Sequence, residues 1–308
     1  MTSDDIGIKR ICVSVSDLEK SKKFFVNEME LSEVARGKLD SVSVEALYGI
    51  KDSEAEYIML KNQVQPTLLQ IIYFTNTPKN EIRANRPSWD LGYYDIAFRA
   101  KDNSKSLQHF KEKGYTYFCE PVRYVADWIN LDVFEGVLKG PDCIPLAMIE
   151  RLKEPIPQFD GNFSIFTDTA VTLNNADEAI KFYSDILGLT KIFDEMLPDG
   201  LVDKVVSVPN GTHTRMLMFS GGNTPITECL IYSKKGQPMC DVAKPENVGI
   251  FAMAYERNDA ALLVKQAESA GYKIISRPVE IELQPYGRIR TSYIAGPSGV
   301  MVEIFEII

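Results

Sequence analysis

Near the start of the chain Ile11, Val13 and Val15 alternate with Arg10, Cys12 and Ser14, the period-two pattern of a strand with one buried face. Ser16 or Asp17 then supplies a cap, and Leu18, Phe24, Phe25 and Met29 recur at roughly helical spacing, which predicts a helix over about 17–29. A polar stretch follows, and then two apolar runs, EYIMLKN and TLLQIIYF, read as further strands. The same order returns three times. GYYDIAFRAKDNSKSLQHFKEKGYTYF, TDTAVTLNNADEAIKFYSDILGLTKIF and GIFAMAYERNDAALLVKQAESAGYKII each open with a strand, pass a polar cap and enter a helix. The helices are predicted at about 103–113, 176–187 and 259–270.

The four units are not equal copies. Glu120-Pro121-Val122 and GPDC in the second answer Arg277-Pro278-Val279 and GPSG in the fourth, while Phe24-Phe25 in the first answers Phe182-Tyr183 in the third. A pair of units has therefore been duplicated. Linkers fall where the apolar pattern lapses, at TNTPKNEIRANRPS, RLKEPIPQFDGN and KKGQPMCDVAKPEN, and the middle one is expected to be the domain boundary. The last unit ends in a turn, GPSG, and a strand in which Met301, Glu303 and Phe305 face one way and Val302, Ile304 and Glu306 the other. A carboxylate set in an apolar face needs a partner or a metal, because a bare buried charge is costly.

Composition narrows the class. The 308 residues are 45% hydrophobic and carry a formal net charge of -9, which suits two domains and argues against nucleic acid or an anionic membrane surface as partner. No apolar run reaches the length of a membrane span, and MTSDDIGIKR is acidic and lacks a secretory core, so a soluble, cytoplasmic protein is expected. Cys12, Cys119, Cys143, Cys229 and Cys240 show no regular spacing and suggest neither a disulfide framework nor a zinc cluster.

Four strand-helix-strand-strand-strand units, duplicated as a pair, resemble the vicinal oxygen chelate superfamily of glyoxalase I, bleomycin resistance proteins and extradiol dioxygenases. VSVSDLEKSKKFF, DIAFRAKD, AIKFYSDILGL and GPSGVMVEIFE carry the resemblance most clearly. It implies an α+β fold of four βαβββ units paired into two glyoxalase-like domains, 1–152 and 160–308, each an eight-stranded curved sheet around a cleft.

In that family the opening and closing strands of each unit supply metal ligands. Carried onto this chain, the opening-strand positions are Arg10, Asp95, Asp168 and Ala252, and the closing-strand positions Gln70, Ala147, Cys229 and Glu303. A slip of one residue would turn any of these side chains to the opposite face. The chain has only two histidines, His109 and His213, neither at an opening position, so an iron site of two histidines and a carboxylate cannot be assembled there. The first half is expected to be metal-free, with Arg10 paired to Asp95 and Gln70 nearby, the three being either structural or part of a substrate-binding wall. In the second half Asp168 and Glu303 are expected to converge, as acid and base or as ligands of one divalent cation, with His213 a further candidate ligand. Oxygen donors would favour Mg²⁺ or Mn²⁺ over zinc or iron, and a site without any metal is the alternative. Phe305 lines this cleft, and Arg288, beside Tyr286 and Arg290, could hold an anionic group.

The expected function is a glyoxalase-like lyase or isomerase that moves a proton next to a carbonyl on a small, largely apolar substrate. The alternatives are a non-catalytic small-molecule binding protein resembling the bleomycin resistance proteins, and a scaffold without a ligand. A small molecule is the expected partner, and a homodimer is left open.

Overall fold

The computed structural model describes residues 5–155 and 159–308. Unit one comprises β1 (Ile8–Ser14), α1 (Leu18–Asn27), β2 (Ser32–Leu39), α2 (Ser41–Tyr48), β3 (Ala55–Lys61) and β4 (Leu68–Phe74). Unit two comprises β5 (Gly92–Ala100), α3 (Asn103–Glu112), β6 (Tyr117–Ala126), β7 (Leu131–Lys139) and β8 (Pro145–Arg151). In unit three β9 (Phe163–Thr172) leads to α4 (Ala176–Ile180), which continues as a π-helical turn over Lys181–Ile186, and then to β10 (Thr190–Met196), β11 (Thr214–Ser220) and β12 (Ile226–Tyr232). Unit four is β13 (Gly249–Glu256), α5 (Ala260–Ser269), β14 (Ile274–Leu283), β15 (Gly287–Ala295) and β16 (Met301–Ile307).

The expected helices start where polar caps stand. Asp17, Asp102 and Asp259 each accept a hydrogen bond from a backbone N–H three residues on, and Asn175 accepts two, satisfying donors that a helix start leaves free. One helix was not anticipated. Within the polar stretch of unit one, Asp40 caps α2 and Gly49 ends it at φ 71°, a left-handed conformation glycine adopts without a Cβ penalty. None of the described helices is long and apolar enough to cross a membrane.

The strands form two eight-stranded sheets. The first runs β14-β15-β16-β13-β1-β4-β3-β2 and the second β10-β11-β12-β9-β5-β8-β7-β6. At the centre of each, two opening strands lie antiparallel, β1 on β13 and β5 on β9. Units one and four therefore build one sheet and units two and three the other.

This corrects the expectation that residues 1–152 and 160–308 would each close a sheet of their own. The chain crosses between sheets at the first and third linkers, and the middle linker joins two units of the same sheet; its residues 156–158 lie outside the described residues. The two crossing linkers run together, with Ile82 N–H donating to Val248 O at 2.9 Å. Arg83 pins the first by donating from its buried guanidinium to the carbonyls of Pro87, Asp90, Gly92 and Tyr93.

One continuous apolar core runs through both sheets and the unit helices, including Ile11, Phe24, Phe110, Phe182, Val264 and Val302. The opposite faces of the sheets carry separate clusters, one around Met59, Phe251 and Phe305 and another around Tyr94, Val202 and Leu230. Strand β16 alternates as its sequence predicts, with Val302 and Ile304 in the shared core and Met301 and Phe305 in the first sheet's cleft.

Candidate functional site

The cleft of the first sheet is filled. Arg10 on β1 donates from Nη2 to Glu303 Oε1 on β16 at 2.5 Å, with both side chains essentially inaccessible. Thr291 and Tyr293 on β15 donate to the two oxygens of the same carboxylate at 2.7 and 2.9 Å, and Cys12 Sγ lies 3.7 Å from Oε2. The guanidinium packs against the adjoining rings of Tyr286 and Phe305, at 5.4 and 5.1 Å from their centroids. Burial alone would lower the pKa of Arg10, but Glu303, together with Cys12, Tyr286 and Tyr293, more than offsets it and holds the group charged, well above its ordinary value. Burial pushes the Cys12 thiol up to about 12, so it is no nucleophile at neutral pH. Helix α2 closes the cleft by setting Tyr48 edge-on to Phe74 and Phe251. Gln70 is buried beside this cluster on β4.

The second sheet's cleft is open. Between β10 and β11, where unit one has α2, unit three has an irregular segment that sets Leu197, Leu201, Val202, Val205 and Val206 over the sheet as a roof. Beneath it lies a cavity of about 140 Å³ whose other wall includes Trp128 and Ile129, at the tip of the β6–β7 hairpin. The floor carries four carboxylic acids: Asp95 on β5, Glu135 on β7, Asp168 on β9 and Glu228 on β12. None of the four forms an ion pair among the described residues. Tyr124 donates to Glu135 Oε2 at 2.5 Å, while Asp95 Oδ1 is buried without a hydrogen-bond partner.

Withdrawal from water disfavours the charged form, and neighbouring negative charges disfavour it further. Burial raises Glu135 to about 7 despite the Tyr124 hydrogen bond. It raises Asp168 to about 6, with Arg151 opposing. Asp95 and Glu228 lie well above the carboxylate range, through burial first and then the charge of Asp168. At neutral pH the floor therefore mixes ionised and protonated acids. Arg151, at the end of β8, adds to the pocket an Nε–H that is buried and has no partner.

The structure divides the expected site residues. Arg10, Gln70, Glu303 and Phe305 share the filled cleft; Asp95 and Asp168 share the open one. The expected Arg10–Asp95 pair is absent, because Arg10 meets Glu303, and Asp168 and Glu303 do not converge, because their strands belong to different sheets. His213 lies on the surface against Asp199 at 2.8 Å, and Arg288 is exposed and pairs with Glu280 at 2.5 Å. On β12 the inward residue is Glu228, while the expected Cys229 belongs to the core on the opposite face. Register would have located it. Glu228 stands opposite Ala170 as Glu303 stands opposite Ala254, so the two glutamates are equivalent. Glu135 escaped attention because it sits on a middle strand of its unit, outside the opening and closing positions.

Among the described residues no three His, Cys, Asp or Glu groups come close enough together to hold a metal ion. Asp95, Asp168 and Glu228 are oxygen donors of the kind a hard cation takes, but as placed they do not form a coordination shell.

Comparison with known proteins agrees with this architecture. The Glyoxalase/Bleomycin resistance protein/Dioxygenase superfamily matches residues 165–304, which span units three and four and hence strands of both sheets. Glyoxalase I from Zea mays is similar in structure, with a TM-score of 0.63 at 16% identity over 97% of this chain and 92% of that one. A putative dioxygenase from Bacillus subtilis gives 0.60 at 12% identity, over 99% and 86%. No curated protein matches the chain in sequence. Residues 165–304 thus match that superfamily, and the chain as a whole shares the fold of glyoxalase I.

Proposed function

We propose that this chain is a glyoxalase-like enzyme that moves a proton next to a carbonyl on a small, largely apolar substrate bound in the second sheet's pocket. The observation that carries the reading is the split among the four floor acids. Asp168 and Glu135 titrate at about 6 and about 7, whereas Asp95 and Glu228 stay protonated well above that. Neighbouring acids held in different protonation states are what paired acid and base work requires. In this reading Asp168 removes the proton, Glu228 returns one, and the unpartnered Arg151 Nε–H receives the oxygen on which negative charge develops. The roof of Leu197, Leu201, Val202, Val205 and Val206 lines the pocket with carbon, and the lower local dielectric strengthens each of these interactions.

The test follows exchange of α-hydrogens for deuterium in phenylacetone and a panel of small ketones and diketones, by NMR in heavy water. Exchange should rise with pH as Asp168 ionises, through about 6. It should fall at least about a hundredfold in Asp168→Asn, on the scale of lost acid–base assistance. No catalysed exchange with any of the panel, with or without added Mg²⁺ or Mn²⁺, would refute the reading. Tight binding of the same compounds without exchange would support a small-molecule binding protein in its place.

A further inference from the structure

We infer that the second pocket takes a ligand whose apolar body, about the size of one aromatic ring, carries a cationic nitrogen that is received by Asp95 and Glu228. The inference rests on the proposed function only in treating this pocket as the ligand site. Four acids share the floor, and no lysine, arginine or histidine forms an ion pair with any of them among the described residues. The nearby cations direct most of their donors elsewhere, with only the buried Arg151 Nε–H left free among the described residues. Arg83 spends its guanidinium on backbone carbonyls, and Arg151 Nη1 is held by Glu154 at 2.7 Å.

Asp95 is only 6% exposed, lines the cavity and leaves Oδ1 without a partner. An orphaned acceptor at such a place is costly unless something arrives to donate to it. A neutral donor would satisfy one oxygen but would leave the acids' mutual repulsion untouched, whereas a cation relieves both.

The walls argue for an organic cation. Trp128, Phe193, Val202, Met216 and Leu230 present carbon to the ligand, and Trp128 adds an aromatic face that attracts positive charge. The cavity of about 140 Å³ approaches the roughly 150 Å³ that accommodates benzene. Asp95 and Glu228 give up their protons as the ammonium group arrives, because an adjacent opposite charge favours the carboxylate; with such a ligand Asp168 remains the base and Glu135 takes over from Glu228 the return of the proton.

Calorimetric titration of the full-length chain with benzylammonium, benzyl alcohol and benzoate separates charge from shape. Benzylammonium should bind at least about tenfold more tightly than benzyl alcohol, and benzoate should bind most weakly. The advantage of the cation should shrink to within about threefold in Asp95→Asn and in Glu228→Gln. Equal affinity for benzylammonium and benzyl alcohol, or preference for benzoate, in the unsubstituted protein would overturn the inference without recourse to a variant. Ammonium-selective binding without catalysed exchange sinks the enzyme and keeps the ligand class. Exchange on neutral ketones with no ammonium preference does the reverse.

Discussion

Replacing Glu303 with Gln keeps the shape of the side chain and removes its charge. Thr291 and Tyr293 can still donate to the amide oxygen. Arg10 fares worse: its Nε and Nη1 already lack partners, and its one hydrogen bond among the described residues is the bond to Glu303. The substitution leaves a fully buried guanidinium facing a neutral group. Breaking a buried ion pair in this way costs about 3–5 kcal/mol. For a chain of 308 residues an unfolding entropy of roughly 2.1 cal/mol/K per residue turns that into a fall of about 5–8 °C in Tm. Thermal and urea denaturation would measure it, and the double variant Arg10→Met/Glu303→Leu should recover most of the loss, because a well-packed apolar pair is often as stable as a buried ionic one. Ligand binding in the second pocket should be unchanged, since the pair lies in the other sheet. A loss below about 1 kcal/mol, or a double variant as unstable as the single one, would refute the picture of a paired charge sealed in a filled cleft.

Two further outcomes are expected. Glu135 has a folded-state pKa of about 7, raised by burial, so its contribution to stability is fully present below its unfolded pKa and is lost as pH rises through about 7. Glu135→Gln should thus stabilise the protein at pH 8, by on the order of 3 kcal/mol, and make little difference at pH 4; urea midpoints at the two values check this, and the same shift at both would contradict it. Tyr48→Ala removes the ring that α2 sets against Phe74, Phe251 and Tyr293. Equilibrium unfolding should show a loss of about 2–4 kcal/mol, somewhat less than for a fully buried aromatic side chain.

Much of the architecture was legible in the chain, because a strand with one buried face and a capped amphipathic helix are local patterns. Asp17, Asp102, Asn175 and Asp259 marked their helices within a residue or two. The alternation of Met301, Glu303 and Phe305 against Val302 and Ile304 correctly divided the cleft from the core. The candidate site was only half legible. Asp168 and Asp95 both line the open pocket, but neither meets the companion expected for it, and Glu228 was missed by a register slip of one residue.

The sequence by itself determined four units, their capped helices and the acids on their strands, since each depends on residues a few positions apart. Only the tertiary structure decided which units share a sheet. Opening strands β1, β5, β9 and β13 present similar apolar faces, so local pattern cannot choose among their pairings. The choice comes from contacts far apart in sequence, such as Ile82 in the first linker pairing with Val248 in the third. That choice put Arg10 against Glu303, where opposite charges neutralise each other and the cleft fills. It also put Asp95 beside Asp168, two buried acids with no ion-pair partner among the described residues, in the cleft that stays open.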